Sequence, residues 1–194
     1  GGRSETTIMH AVLDPEGVRD PLNVRPDDPM YALCTGAGSD EFDGDALGDA
    51  WSVLRDDPER VRVVDGSLVL TGPITGLDGA PITQTPLPAT EAWEVTTQLR
   101  FDPTERFQQA GLVLYGDEAN SARAMWVYST QGVRFDVTLR DDGRERFDSW
   151  TWPDSVFPPA DLGDTWQVRY TSDGEWITTA YSIDGQTFQR IGRP

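Results

Sequence analysis

A chain of 194 residues has room for one domain with a sizeable core, or one domain and an arm, but not for two ordinary domains. Its 33 acidic and 16 basic residues, every basic one Arg, give a formal charge of -17; such a surface repels phosphate backbones and anionic lipid heads, which weighs against nucleic-acid and membrane partners. One cysteine, Cys34, and one histidine, His10, exclude an intrachain disulfide and a His-rich zinc centre, and no apolar run approaches the length of a membrane span.

Residues 1–39 read as an N-terminal arm. The run Ile8, Met9, Ala11, Val12, Leu13 predicts one short strand, and Pro15, Pro21, Pro26 and Pro29 then keep the chain extended. From residue 40 to 194, short segments with period-two alternation are separated by Gly, Asp and Pro turns, the pattern of an all-β, two-sheet antiparallel sandwich or a barrel. Asp40, Glu41, Asp43 and Asp45 open this part with oxygen ligands of the kind a structural calcium takes, although their spacing is not an EF-hand loop and plain surface acidity competes. Residues 60–72 predict two strands hinged at Asp65-Gly66, a two-residue hairpin signal.

In the next segment Trp93, Val95, Thr97, Leu99 and Phe101 fall on one face and Glu94, Thr96, Gln98 and Arg100 on the other. The stretch FQQAGLVLY follows; its apolar run 111–115 predicts a central strand covered on both sides, and Gly111 marks a close approach by a neighbouring strand. Alternation gives Gln108 the facing of Leu112 and Gln109 that of Val113, so the two cannot line one groove; Gln109 is expected to be buried and hydrogen-bonded. After a strand over 122–129, Val133, Phe135, Val137 and Leu139 turn inward while Arg134, Asp136, Thr138 and Arg140 turn outward, ahead of a turn at Asp142-Gly143. Hairpins at Asp173-Gly174 and Asp184-Gly185 close the chain. No segment has the length and 3.6-residue period of a helix, a single turn near 45–50 apart.

Four motifs in this order carry a family resemblance: F-D-G-x-x-L-x-x-x-W (Phe42 to Trp51), D-G-x-L-x-L (Asp65 to Leu70), Q-A-G-L (Gln109 to Leu112) and D-G-x-x-F (Asp184 to Phe188). Together, over about residues 40–192, they resemble the concanavalin A-like lectin/glucanase sandwich, and more narrowly the domain appended to bacterial β-xylosidases and arabinofuranosidases and to secreted actinobacterial proteins of the ThuA-like group. The resemblance implies a jelly roll that serves as a noncatalytic carbohydrate-binding or accessory module of a secreted glycan-active protein, beside a flanking catalytic domain. It also implies an extracellular location, with a signal peptide absent from this chain. The family continues past the segment matching Gln189 to Gly192 into one more strand beside the opening strand near Phe42, whereas this chain ends at Pro194. The segment Thr7 to Leu13 is therefore expected to lie along a sheet edge and supply that pairing, since an open edge invites aggregation.

Glycosidases of this fold use an E-x-D-x-x-E strand; the nearest match, Glu41-Phe42-Asp43-Gly44-Asp45-Ala46, lacks the final Glu. A glycoside hydrolase reading would instead rest on Glu94 and Asp136 if their strands pair, and a structural sandwich packing on a partner domain or second chain is the other alternative. For a polysaccharide or oligosaccharide ligand, Trp150 and Trp152 share a face in an extended segment and offer flat indoles to sugar rings, with Arg134, Asp136, Gln98 and Arg100 as hydroxyl partners. Core packing, which alternation gives Trp93 and Trp166, is the competing account of the tryptophan pair. No cofactor other than a structural calcium is expected. The loops at Asp117–Asn120 and Asp141–Arg146 are further ligand candidates, because sandwich ligands often sit on end loops.

Overall fold

The computed structural model describes residues 5–14, 39–71, 80–87, 92–151 and 166–191, and every regular element among them is a strand. In chain order these are β1 (Glu5–Asp14), β2 (Ser52–Leu54), β3 (Val61–Val64), β4 (Ser67–Thr71), β5 (Ile82–Gln84), β6 (Ala92–Asp102), β7 (Gln109–Tyr115), β8 (Ser121–Ser129), β9 (Gly132–Asp141), β10 (Arg144–Thr151), β11 (Trp166–Asp173), β12 (Ile177–Ser182) and β13 (Gln189–Ile191). They form a seven-stranded sheet in the order β13-β12-β11-β6-β1-β4-β3, a four-stranded sheet β10-β9-β8-β7, and a small pair β2-β5. All pairings are antiparallel. No helix among the described residues is long and apolar enough to cross a membrane.

The alternating residues explain how the two large sheets meet. Leu99 and Phe101 of β6, Trp166, Val168 and Tyr170 of β11, and Tyr181 of β12 face Ala124 and Trp126 of β8 and Val133, Phe135 and Val137 of β9 in one buried cluster. Trp126 is its hub, with ring centroids 4.1 Å from Trp166, 5.0 Å from Phe135 and 5.2 Å from Tyr181. Trp93 and Trp166 are core residues, as alternation predicts. Burying an aromatic side chain of this size contributes roughly 2–3 kcal/mol, so this layer holds the sandwich together. A second cluster, Phe42 and Leu68 with Trp51 against them, sits under the opening motif.

The hairpin signals hold at the level of backbone angles. Asp65 and Gly66 have φ of 51° and 72°, and Asp142 and Gly143 stand at 48° and 75°; two left-handed residues in a row are what a two-residue type I′ turn requires. Gly111 is also explained, because a Cβ there would lie 2.0 Å from the Ala124 carbonyl oxygen.

Two placements differ from expectation. The strand over Thr7 to Leu13 does not lie along an edge: β1 is inserted between β4 and β6 with a ladder on each side. An apolar run of this length reads alike for edge and interior strands, because lateral pairing uses backbone groups that side chains do not report. Conversely, β7 ends its sheet among the described residues and its residues 111–115 are half-buried. Two-sided apolarity reports layers above and below a strand, not neighbours beside it. Residues 15–38 of the arm lie outside the described residues.

Candidate functional site

The sandwich has two outer sheet faces, and each carries an arginine, a carboxylate and a phenylalanine. On the seven-stranded sheet, β6 and β11 pair so that Thr96 lies beside Arg169 and Gln98 beside Gln167. Arg169 Nε donates to Thr96 Oγ1 at 2.9 Å and lies 3.2 Å from Glu94 Oε1. Its guanidinium carbon stands 3.6 Å from the Phe188 ring centroid, within cation–π range. Gln167 Nε2 donates to Gln98 Oε1 at 3.2 Å. Arg169 is buried, with its Nε engaged by Thr96 and Glu94.

Phe188 reaches Arg169 because of the turn before it. Asp184 Oδ1 accepts from Thr187 N at 2.7 Å, Gln186 N at 2.9 Å and Ser182 Oγ at 2.9 Å. The Thr187 amide first, then those of its neighbours, hold the carboxyl down at about 2. The D-G-x-x-F motif is thus a device that fixes the last strand against the sheet.

On the four-stranded sheet, Arg134 Nε donates to Asp136 Oδ2 at 3.0 Å and Nη2 lies 2.8 Å from the same oxygen. Asp136 is 4% exposed while Arg134 is half-buried. Burial raises the Asp136 carboxyl above its ordinary value, and the Arg134 hydrogen bond and charge only partly offset this. Asp136 therefore acts through Arg134, fixing the plane of a guanidinium whose side chain is 25% exposed. Next to it, 6.0 Å from the guanidinium carbon, is the ring of Phe147, 62% exposed.

A bulge between Phe147 and Ser149 sets the register of β10, so that Phe147 pairs with Thr138 and Trp150 with Asp136. Arg134, Asp136 and the backbone of Trp150 are therefore brought together. Gln98 and Arg100 are on the other sheet, and Trp152 lies outside the described residues. Sequence alternation missed Phe147, because the bulge at Asp148 breaks the period-two frame.

Glu94 and Asp136 do not form a pair: β6 is flanked by β1 and β11, and β9 by β8 and β10. The strand pairing that a two-carboxylate mechanism would need is missing. Of the four acids proposed for calcium, Asp40 is engaged by the chain itself, accepting from Phe42 N at 2.7 Å and from the Trp51 indole at 2.8 Å. Among the described residues no group of three or more His, Cys, Asp or Glu is placed to hold a metal. Asp117 accepts from Ala119 N at 2.7 Å and Asn120 N at 2.8 Å, and Asn120 Oδ1 accepts from Asp142 N at 3.2 Å, so the two end loops are tied to each other.

The glutamines exchange roles relative to expectation. Gln108 is the buried one and Gln109 is exposed, since residue 108 shares the core-side facing of Leu112. Its Oε1 accepts from Thr104 N at 2.6 Å and Glu105 N at 2.9 Å, so it shapes the β6–β7 loop.

No curated protein matches the chain. Among solved structures, it is similar to a GH43 protein, BlXynB, from Bacillus licheniformis, at 20% identity and a TM-score of 0.63 over 79% of this chain and 29% of that one. It is also similar to a GH43_12 protein retrieved from a capybara gut metagenome, at 18% identity and a TM-score of 0.64 over 80% of this chain and 30% of that one. The chain thus spans less than a third of the length of these proteins. The family model described as the β-xylosidase C-terminal concanavalin A-like domain matches residues 39–194, and the chain belongs to that family.

Proposed function

We propose that the chain is a noncatalytic module of a secreted GH43-type glycoside hydrolase, and that it holds a polysaccharide or oligosaccharide against the outer face of its four-stranded sheet. The observation that carries this reading is the Arg134–Asp136–Phe147 arrangement, in which a buried carboxylate orients a half-buried arginine beside an exposed ring. A guanidinium supplies in-plane donors to sugar hydroxyls, and an aromatic ring supplies a flat apolar surface for the C–H face of a pyranose or furanose. The pairing of Trp150 with Asp136 sets a further aromatic residue next in register. The separation of Glu94 from Asp136 supports binding over hydrolysis by this chain.

A catalytic domain flanking this module is part of the proposal, since the match covers only 29% and 30% of the similar GH43 proteins. Packing on that domain is a second reading, favoured by Trp176 and Ile177, which are exposed side by side next to the β11–β12 turn.

Native gels cast with soluble xylan or arabinan test the binding reading. The chain is expected to be retarded by one of them, with Trp150→Ala and Arg134→Ala each weakening retardation. Mobility unchanged on both polysaccharides would favour packing on a partner domain. Xylan hydrolysis abolished by Glu94→Gln would restore the enzyme reading.

A further inference from the structure

Five described residues other than glycine have a left-handed backbone, a conformation that costs an L side chain stability. Four have a local reason. Phe42 is buried in the second cluster, Arg55 donates to the Ala80 carbonyl at 3.0 Å, and Asp65 and Asp142 lead type I′ turns. Phe107, at φ 66°, has no such compensation, for its ring is 61% exposed. A bulky residue in this region is a true outlier, and glycine or asparagine would sit there with less strain.

The surroundings keep Phe107 in this conformation. Phe107 N donates to Tyr128 O at 2.7 Å, Tyr128 N donates to Gln108 O at 3.0 Å, and the buried Gln108 carboxamide ties down Thr104 and Glu105 on the other side. Strain held in place by a hydrogen-bonded frame, with no burial in return, is the pattern of a residue kept for contact rather than for folding.

We infer that Phe107 is a second aromatic contact for glycan at the β8–β9 end of the four-stranded sheet, its ring stacking on the apolar face of a sugar unit. This rests on the reading of that sheet as the glycan-facing one. Hydrogen-bonding groups follow in register: Gln109 is exposed two residues on, and pairing carries Gln109 through Val127 to Arg134. Alternate donors and rings suit a hydroxylated ligand, whereas an apolar protein contact would call for an unbroken apolar patch.

The test uses the full chain with Phe107→Gly and Phe107→Tyr, read by thermal melting and by retardation in gels cast with soluble xylan or arabinan. Phe107→Gly is expected to melt about 2–4 °C higher, as strain is relieved, and to lose about tenfold in apparent affinity. Phe107→Tyr keeps the ring and is expected to keep retardation. Wild-type retardation in Phe107→Gly would overturn the contact while leaving the glycan-facing reading intact, and loss in Phe107→Tyr would likewise contradict a ring contact. A lower melting temperature in Phe107→Gly would remove the strain argument. A wild-type chain retarded by neither polysaccharide would overturn both this inference and the reading beneath it.

Discussion

The two outer faces use the same three kinds of side chain to opposite ends. In the Arg169–Glu94–Phe188 group the guanidinium is buried, its ring partner stands at 3.6 Å, and the carboxylate and a threonine take its Nε donor. In the Arg134–Asp136–Phe147 group the carboxylate is the buried member, the ring stands off at 6.0 Å and is exposed, and the arginine is half-buried. A closed group stabilises the fold, because its charge is met by a carboxylate and a ring within the chain. An open group is oriented from beneath and keeps its binding capacity for something outside. Which member is buried decides between the two.

Breaking the closed group has the largest expected effect. Arg169→Ala leaves Glu94 partly buried without its counter-charge and frees Phe188, and is expected to cost about 3 kcal/mol, the low end for disrupting a buried pair. Urea unfolding would show this as a lower midpoint. Phe147→Ala, on the other outer face, removes a ring that is 62% exposed and is expected to stay within about 1 kcal/mol of wild type by the same measurement. Equal losses would erase the distinction between the faces.

Gln108→Ala comes next. It strands the Thr104 and Glu105 amides and is expected to cost about 2 kcal/mol, with faster hydrogen exchange confined to the β6–β7 loop. Unchanged exchange there would deny Gln108 its role as the loop's anchor.

The smallest effect is a pH dependence. Because burial raises the Asp136 carboxyl in the fold, the native state holds that proton to higher pH than the unfolded chain does. Its contribution is therefore fully present below the unfolded value of 3.8 and is lost as pH rises through the raised native value. Asp136→Asn removes this loss, so the variant is expected to gain on wild type as pH rises across that window. Asp184, held at about 2, behaves in the opposite sense: its contribution is present above 3.8 and is lost as pH falls through about 2. A stability difference between Asp136→Asn and wild type that does not vary with pH would show that the carboxyl is not held up by burial.

Much of this was legible in the residues. Alternation placed Trp93, Leu99, Phe135 and Val137 in the core, Asp-Gly pairs marked the hairpins, and Gly111 marked the close approach to Ala124. Lateral order was not legible, as β1 and β7 show, because side-chain polarity says which layer a strand faces and nothing of which strand pairs beside it. The candidate site was legible in part. Arg134 and Asp136 were found by alternation, but Phe147 was hidden by the bulge at Asp148 and Phe107 by a left-handed backbone that no local motif announces. Gln98 and Arg100 were grouped with them only because strand polarity cannot tell one sheet's outer face from the other's.

The central claim is that glycan is held on the open face and not on the closed one. Its most direct test is to measure retardation on the polysaccharide that slows the wild-type chain for two paired variants, Arg134→Ala with Phe147→Ala and Gln98→Ala with Arg100→Ala. The account predicts that the first pair abolishes retardation and the second leaves it at the wild-type level. Retardation lost in the second pair and kept in the first would contradict it.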